Sequence, residues 1–388
     1  MKRLKIIAAC ALLGYGCVNS FAADVVITNY SPMGATKPIL VSVSGITGEA
    51  LQVLQFDLYV QGFAFTNAEA AQYLLSGSSN GSLQGRATDN YNKQSLVSKA
   101  YSGASIRRQV HAFADDFVQA LGRKPICQTK IAFKIDTGPT SEIYISDFDG
   151  HNEQAVTKDN NLVAAPDWVP GKFALYYVSY VLGNPSIFHH DLSSGSRKAF
   201  ARYGGSNISP AASPDGTHVA MILSKDGWTD LYVSRTDGSD LRRLTKSRED
   251  ESSPCWSPDS QYICFAAKIN ERRSLCKVPV GGGQVQRINT IGVSNPTEPD
   301  WSPDGKWIVF TSMGRGFDIC VVPSQGGEAM PLVSGEDPTW APNSRTVIFA
   351  KRQGGRRMLS LLDVFTKQNK DVSRFSGSSS QSQPSWAR

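Results

Sequence analysis

Residues 299–310 have the sequence Pro-Asp-Trp-Ser-Pro-Asp-Gly-Lys-Trp-Ile-Val-Phe, which predicts a strand, a tight turn and a returning apolar strand. Pro303 presets φ for the turn, the Asp304 side chain can bond to nearby backbone, and Gly305 can adopt a positive φ. One hairpin of this kind does not define a fold. Related stretches recur along the chain, and their spacing decides the architecture.

The hairpin recurs at a regular interval. If the tryptophan is taken as an anchor, with alanine in one copy, successive anchors lie 39 to 46 residues apart, at Trp168, Ala212, Trp256, Trp301, Trp340 and Trp386. An apolar strand follows each of the first five anchors, and third and fourth strands then follow, as in Asp230–Val233 and Leu241–Thr245. An all-β repeat of about 40–45 residues is typical of four-stranded propeller blades.

The last anchor, Trp386, lies too near the C-terminus for the remaining strands of its blade to follow it. Matching second, third and fourth strands occur much earlier, at Ile131–Phe133, Ser141–Ser146 and Glu153–Thr157, with no anchor before them. We therefore expect the C-terminal strand to complete this blade, which closes the ring and removes free sheet edges. The predicted fold is multidomain: a small α+β N-terminal domain followed by an all-β six-bladed propeller over residues 129–388.

Residues 1–22 have the pattern of a secretory signal peptide. Basic residues at positions 2, 3 and 5 precede a short apolar run, and small residues at Ser20 and Ala22 fit cleavage after Ala22. The run is too short to span a bilayer, so we expect an exported protein with no direct membrane span. Cleavage would lower the formal net charge from +6 to +3, which gives no indication of nucleic-acid binding. Lipidation at Cys17 is an alternative.

Five cysteines lie outside the signal segment, at Cys127, Cys255, Cys264, Cys276 and Cys320. Their number is odd, and a large β ring does not need disulfides for its core. Cys255, Cys264 and Cys276 should lie roughly abreast on the first three strands of one blade. The favoured interpretation is small buried side chains, with a cross-strand bridge or a metal cluster as alternatives.

Two segments precede the propeller. Residues 23–38 begin with a β-prone run that could add to a sheet edge or bind a partner, and the run contains Asp24, Val25, Val26, Ile27 and Thr28. Residues 39–128 predict the small α+β domain. Strands are expected at Ile39–Val43, Gln55–Phe63, Ser82–Thr88 and Leu96–Tyr101, with a helix opening at Thr66 and another over Ile106–Leu121.

Three patterns resemble chemical sites, but structural interpretations are favoured for all of them. Gly77-Ser78-Ser79-Asn80-Gly81 matches a nucleophile elbow in a domain too small for a hydrolase sheet. His189 and His190 are neighbours in a predicted strand, where their side chains point to opposite faces and cannot chelate together. Asp147–Gly150 resembles the start of a calcium loop without the later acidic ligand, which favours a turn. The sequence predicts no catalytic residue, metal or cofactor.

Polar and acidic residues lead into each anchor. The first strand of each propeller blade lines the central channel, so the residues that enter these strands should ring one mouth of it. Convergent loops on a rigid ring suit a docking surface for a partner protein, although ordinary solvated turns have a similar composition. The candidate partner-binding residues are Ser206, Asn207, Ser209, Glu249, Asp250, Ser252, Asn295, Thr297, Glu298, Glu336 and Asp337.

The chain resembles the TolB family, the periplasmic components of the Tol–Pal envelope system. The resemblance rests on residues 145–153, Ile-Ser-Asp-Phe-Asp-Gly-His-Asn-Glu, and on the repeated Trp-Ser-Pro-Asp-Gly turns. It implies a non-enzymatic periplasmic adaptor. A TolA-like inner-membrane protein would bind the N-terminal segment Asp24–Lys37, and a Pal-like outer-membrane lipoprotein would bind the propeller mouth. Roles in outer-membrane integrity, cell division and bacteriocin import are implied as well.

A different class of function is also compatible with a propeller. Related repeats occur fused to hydrolases, so the ring could gate or present substrate to a separate periplasmic peptidase. No cluster of residues in the sequence argues for that alternative.

Overall fold

The computed structural model describes residues 36–78, 81–247, 249–372 and 379–388. The predicted signal peptide and the predicted partner-binding run Asp24–Thr28 lie outside these residues. Among the described residues, no helix is long and apolar enough to cross a membrane.

The first domain packs two helices on one sheet of five strands. The sheet has the order β2-β1-β3-β4-β5, with β1 parallel to both of its neighbours and the other pairs antiparallel. The elements in chain order are β1 (Ile39–Ser44), α1 (Gly48–Tyr59), β2 (Phe63–Phe65), β3 (Tyr73–Ser78), β4 (Leu83–Asp89), β5 (Ser95–Tyr101) and α2 (Ile106–Ala120).

Two sequence predictions for this domain are wrong. Residues 55–63 were expected as a strand, but Gln55–Tyr59 belongs to helix α1, because Ala50, Val53, Leu54 and Leu58 recur at helical spacing and are all buried. No helix opens at Thr66. The side chain of Asn67 instead accepts a hydrogen bond from the Ala70 backbone at 3.0 Å, which makes a turn before β3. The other helix, α2, is confirmed, and the Ser105 side chain caps it by accepting a bond from the Arg108 backbone.

Six four-stranded sheets follow, in agreement with the predicted propeller. In chain order their strands are β6 (Lys130–Asp136), β7 (Ser141–Asp147), β8 (Gln154–Ala155), β9 (Val163–Trp168), β10 (Ala174–Ser179), β11 (Ser186–Asp191), β12 (Ser196–Ala201), β13 (Asn207–Ala212), β14 (His218–Leu223), β15 (Asp230–Arg235), β16 (Arg242–Arg243), β17 (Glu251–Trp256), β18 (Tyr262–Ile269), β19 (Arg272–Pro279), β20 (Gln286–Ile288), β21 (Thr290–Ile291), β22 (Pro296–Trp301), β23 (Trp307–Met313), β24 (Phe317–Pro323), β25 (Gly327–Glu328), β26 (Met330–Ser334), β27 (Glu336–Trp340), β28 (Thr346–Gln353), β29 (Arg356–Asp363), β30 (Asn369–Asp371) and β31 (Ser380–Trp386). The short strands β21 and β25 pair separately.

The C-terminal strand closes the ring. The first blade has the order β31-β6-β7-β8, and the other blades are β9–β12, β13–β16, β17–β20, β22-β23-β24-β26 and β27–β30. Trp386 lies opposite Ile131 in the β31–β6 register, and its indole N–H donates to Thr129 Oγ1 at 2.7 Å. Blade 1 is therefore built from both ends of the propeller sequence, as the sequence predicted.

The Ser-Pro-Asp-Gly turns are held by a repeated set of side-chain bonds. In blade 5, Ser302 Oγ donates to Asp304 at 2.6 Å and accepts from the Trp307 backbone at 3.0 Å, while Gly305 has φ +76°. The Ser213 and Ser257 hydroxyls make the equivalent bonds in blades 3 and 4. The serine and aspartate side chains of the motif are used inside their own turns, so their role is conformational. Ser260, at the glycine position in blade 4, instead accepts a bond from the Asp215 backbone in blade 3 at 3.2 Å.

The cysteines and histidines take the structural positions that were favoured from the sequence. The five described cysteines are free and buried. Cys255 lies opposite Cys264 in the strand register, whereas Cys276 lies opposite Phe265 and packs in a different apolar cluster. His189 and His190 are in β11, and a turn follows Asp147.

The two faces of the ring are distinct. On the inlet face, where the inner strands β31, β9, β13, β17, β22 and β27 begin, the turns between second and third strands meet the connections from one blade to the next. Backbone bonds join them there, from Ser224 N to Ser206 O at 3.0 Å and from Lys268 N to Asp250 O at 3.0 Å. The opposite side, the turn face, carries the Ser-Pro-Asp-Gly turns and the turns between third and fourth strands.

The α+β domain packs on the turn face of blades 1 and 6. One apolar core contains Leu58 and Phe113 from the domain together with Phe148 and Ile348 from the propeller. Hydrogen bonds from Thr346 Oγ1 to Val60 O at 3.1 Å, and from Gln368 Nε2 to Phe63 O at 3.0 Å, cross the same contact.

A buried charge cluster also crosses this contact. His111 on α2 lies 2.8 Å from Asp57 on α1 and 3.3 Å from Asp149 in the turn after β7, and Arg107 pairs with Asp149 as well. Burial alone would lower the pKa of His111, but the two carboxylates outweigh it and raise the pKa to about 10. The domain and the propeller thus share ionic as well as apolar packing.

Candidate docking site around the propeller tunnel

Each inner strand has the same irregularity near its middle. Three residues before every anchor, the backbone is left-handed, with φ between +49° and +55°, at Ala165, Ser209, Ser253, Glu298, Asp337 and Gln383. Proline follows each of these residues, and the pairing with the second strand shifts register there. A bulge of this kind re-aims side chains, and here it directs the six residues toward the centre of the ring.

The inner strands enclose a central tunnel with a cavity of about 450 Å³. Its lining is unequal around the ring. Blades 5, 6 and 1 contribute Glu298, Asp300, Asp337 and Gln383, whereas blades 3 and 4 contribute small side chains such as Ser209 and Ser253. Lys124 and Arg388 also line the tunnel. The tunnel therefore has a polar, acidic side and a side lined by smaller side chains.

The bulged residues of the acidic side connect neighbouring blades. Glu298 accepts a bond from the Asp337 backbone at 3.0 Å, Asp337 accepts one from the Gln383 backbone at 3.0 Å, and Gln383 accepts one from the Ala165 backbone at 2.9 Å. These bonds run in order from blade 5 through blades 6 and 1 to blade 2. Ala165 has no acceptor side chain to continue the series.

A second tier of bonds lies two residues further along the inner strands. Asp167 accepts from the Ala212 backbone at 2.8 Å, and Asp300 accepts from the Trp340 backbone at 2.7 Å. Arg388 forms an ion pair with Asp300 and donates from Nε to the Trp340 carbonyl at 3.3 Å. The C-terminal residue thus ties blade 1 to blades 5 and 6.

Two tunnel carboxyl groups hold their protons at unusually high pH. Burial, with the nearby charge of Glu298, raises the pKa of Asp337 to about 8. Burial also raises the pKa of Asp167 to about 7, against the lowering effect of its bond from Ala212. Desolvation dominates in both cases because protein atoms surround the carboxyl groups in a narrow tunnel, even though each residue keeps some solvent contact.

The structure divides the sequence-predicted mouth residues into three groups. Ser209, Glu298 and Asp337 line the tunnel. On the inlet face near its mouth, Asp250 and Asn295 are exposed, and Ser206, Glu249 and Ser252 are half-buried. The remaining residues are buried in the framework: Asn207, Thr297 and Glu336.

The buried members of the set have clear structural partners. The Asn207 side chain donates to the carbonyls of Pro185, Tyr203 and Gly205 at 3.1, 2.9 and 3.3 Å, which fixes the connection between blades 2 and 3. Glu336 pairs with Arg352 at 2.9 Å and also with Arg357. These side chains shape the mouth and present little surface of their own to a partner.

Sequence reasoning missed the second tier of tunnel residues, Asp167, Asp300 and Arg388. The repeat contained a usable signal, since residues one and three places before an anchor both line the tunnel. Both positions face the tunnel only because of the bulge between them, and the sequence of a single blade does not reveal that bulge. Among the described residues, no group of three or more His, Cys, Asp or Glu side chains is arranged to hold a metal ion.

Comparison with known proteins gives consistent matches. The profile of the TolB beta propeller domain matches residues 117–388. A Tol-Pal system protein TolB from Bordetella pertussis is 30% identical over 306 residues, which is 76% of this chain and 70% of that protein. The protein of the same name from Bordetella bronchiseptica is also 30% identical, over 76% of this chain and 69% of its own length.

Solved structures share the architecture. The crystal structure of TolB from Acinetobacter baumannii superposes with a TM-score of 0.81, covering 91% of this chain and 98% of that one at 21% identity. At this identity the likeness concerns the fold, and it includes the small domain as well as the ring.

Proposed function

The chain belongs to the TolB family, and from this premise we propose that it is a non-enzymatic periplasmic adaptor of the Tol–Pal system. In this proposal it links a Pal-like outer-membrane lipoprotein to a TolA-like inner-membrane protein. It would thereby support outer-membrane integrity and cell division, and it would be open to use by imported bacteriocins.

One structural observation carries the docking part of the proposal. The six inner strands begin together on the inlet face, and the α+β domain packs on the opposite face. A rigid ring with convergent polar loops around one mouth suits the recognition of a folded protein. The docking residues are those at and around this mouth, including Ser206, Ser209, Asp250, Asn295 and Glu298.

The N-terminal segment supplies the second contact of the proposed adaptor. Residues 24–28, Asp-Val-Val-Ile-Thr, have the β-prone composition of a strand that pairs with the sheet edge of a partner. If docking at the mouth changes the affinity of this segment for the TolA-like protein, binding of that protein must change the affinity at the mouth by the same factor.

The experiment is a binding titration between the mature chain and the soluble domain of the Pal-like lipoprotein from the same cells. The double variant Ser206→Arg and Asp250→Arg places two long side chains on the inlet face, and we expect its Kd to rise at least about tenfold, which corresponds to about 1.4 kcal/mol. The control variant Ser194→Arg and Gln284→Arg introduces two arginines at exposed positions of the turn face and should bind like the unaltered chain.

Unchanged binding by the inlet-face variant would place the lipoprotein elsewhere on the molecule. A cross-linked pull-down of the mature chain from cell envelopes tests the partners themselves. Recovery of a peptidase in place of a lipoprotein and a TolA-like protein would reject the adaptor and favour the peptidase gate.

A further inference from the structure

The inlet face carries a cluster of exposed apolar side chains that belongs to no core. Among the described residues, six large apolar side chains with 36–49% of their surface exposed lie on this face. Met313 is on blade 5, and the other five are on blades 2 and 3 or the connections into them: Leu162, Val181, Leu182, Tyr203 and Trp228. Trp228 is the most exposed of the five. An indole at the tip of a turn is costly to leave in water, so the cluster indicates contact with another surface.

Hydrogen bonds join the segments that carry these residues. Tyr180, next to Val181, donates to the Leu162 carbonyl at 3.0 Å, and the Asn207 side chain joins Pro185 of the same turn to Tyr203. The Ser224 backbone, at the start of the turn that carries Trp228, donates to the Ser206 carbonyl at 3.0 Å, so the five side chains are carried by adjoining loops of one region. We call this set the apolar arc.

The turns between second and third strands of blades 4, 5 and 6 carry more basic than acidic residues, with Glu271 and Asp250 as the exposed acidic neighbours. The turn tips of blades 4, 5 and 6 carry Arg272, Arg315, Arg352 and Arg356, all exposed, with Arg273 and Arg357 beside them. We call these six residues the basic arc. Glu336 engages Arg352 and Arg357, but Arg272 and Arg315 form no ion pair with any residue that the structure describes. Their charge is therefore available to a partner.

We propose that the inlet face binds a folded protein domain that presents an acidic patch to the basic arc and an apolar side chain to the apolar arc. This assignment rests on the proposed function and gives the lipoprotein both a chemistry and an orientation on the ring. Blades 4–6 receive its acidic side, and blades 2 and 3 receive its apolar anchor.

The two arcs act on different parts of the binding reaction. Exposed arginines at a rim attract an acidic partner over a distance and raise the association rate, an effect that salt screens. A buried aromatic or aliphatic anchor excludes water at the contact and lowers the dissociation rate. The division between the arcs is therefore measurable in kinetics.

The first test uses the charge. The variant Arg272→Glu and Arg315→Glu should lower the association rate for the soluble lipoprotein domain about tenfold at low salt and flatten its dependence on salt. The control Lys172→Glu and Lys306→Glu reverses two exposed charges on the turn face and should leave the salt dependence of the association rate unchanged.

The second test uses the apolar arc. The variant Leu182→Ser and Trp228→Ser should raise the dissociation rate at least about tenfold with an unchanged melting temperature, because both side chains are already exposed. Val285→Ser, an exposed apolar residue on the turn face, is the matched control and should dissociate like the unaltered chain.

The outcomes separate this assignment from the function on which it rests. Absence of any binding by the unaltered chain rejects both. Binding that is weakened by Ser206→Arg with Asp250→Arg, but by neither arc variant, retains the docking site and overturns the assignment. Loss of binding to anionic phospholipid vesicles in the arc variants, with lipoprotein kinetics unchanged, would assign the arcs to a lipid surface and overturn it as well.

Discussion

The smallest repeated unit of this protein is a single left-handed residue followed by proline. A residue before proline ordinarily adopts an extended backbone, and a positive φ is costly for any side chain other than glycine. The chain accepts this cost at Ala165, at Gln383 and at the four equivalent positions between them. The gain is a side chain aimed into the tunnel, which in blades 5, 6 and 1 binds the backbone of the next blade.

Asp337 permits a test of this arrangement through pH. Its pKa rises to about 8 in the folded chain because of burial and the charge of Glu298, so the folded state binds more protons than the unfolded state between about pH 4 and pH 8. Asp337 therefore makes stability fall as pH rises through that interval. In Asp337→Asn the amide oxygen can still accept from Gln383, and we expect its melting temperature relative to the unaltered chain to increase from pH 5 to pH 8.5.

Glu336, the residue before Asp337, is the control, because its effect on stability should change with pH in the opposite direction. Burial opposes its ionisation, but hydrogen bonds from Arg352 and Arg357 lower its pKa, so its stabilising effect is present above about pH 4.5 and is lost as the solution becomes more acidic. Glu336→Gln should lower the melting temperature at pH 7 and have less effect near pH 4. Parallel pH profiles for the two variants would contradict the assigned environments of both carboxyl groups.

At the scale of an element, the C-terminal strand β31 decides whether the ring is closed. It supplies the inner strand of blade 1, and Trp386 packs against Phe148 with 2% of its surface exposed. An inner strand contributes to the apolar packing between blades, so its loss affects more than its own sheet. Helix α1, unlike β31, was not predicted from the sequence. Its less buried face also carries apolar residues, so the helical spacing of its buried residues is not evident.

We expect Trp386→Ala to lower the free energy of unfolding by about 3–5 kcal/mol, because it removes a buried indole and leaves Thr129 without its donor. Urea denaturation followed by circular dichroism measures the change. Trp228→Ala is the control, since that indole is exposed and its removal should change stability by less than about 0.5 kcal/mol. Equal effects of the two substitutions would mean that β31 does not close the ring. Deletion of Pro384–Arg388 should destabilise the propeller further.

At the scale of the whole molecule, the small domain and the propeller are coupled by their packing. A continuous apolar core and the Asp57–His111–Asp149 cluster cross the contact between them. Separation would expose that core to water and leave buried charges without their partners, both of which are costly. The domain and blades 1 and 6 should therefore behave as one cooperative unit.

This coupling predicts coincident unfolding transitions. All seven tryptophans lie in the propeller sequence, and of these Trp386 also belongs to the core shared with the small domain, so their fluorescence reports mainly on the ring. Hydrogen exchange at the amides of α2 reports on the small domain. With increasing urea, we expect the two signals to change at the same midpoint. Loss of protection in α2 at a lower urea concentration would show that the domain unfolds independently.

The six-bladed ring follows from the amino-acid sequence without the structure. The evidence is six anchors at a regular spacing, turns built from Ser-Pro-Asp-Gly, and a final strand without a blade. These are local features, which can be recognised directly in the sequence. They predicted the six blades and the closure by β31. The apolar spacing within Ile106–Leu121 predicted helix α2, and residues 145–153 together with the turns indicated the family. The repeat also located the inlet face, because the topology of a four-stranded blade fixes which loops share a side.

Which residues at that face are accessible to a partner depends on how the blades pack together. Asn207, Thr297 and Glu336 precede their anchors as Ser209, Glu298 and Asp337 do, yet the first three are buried in the framework and the last three line the tunnel. The bulge before each proline makes that difference, and it depends on how six blades pack around one axis. The raised pKa values and the apolar and basic arcs arise in the same way, because burial and proximity between blades are not properties of any single segment.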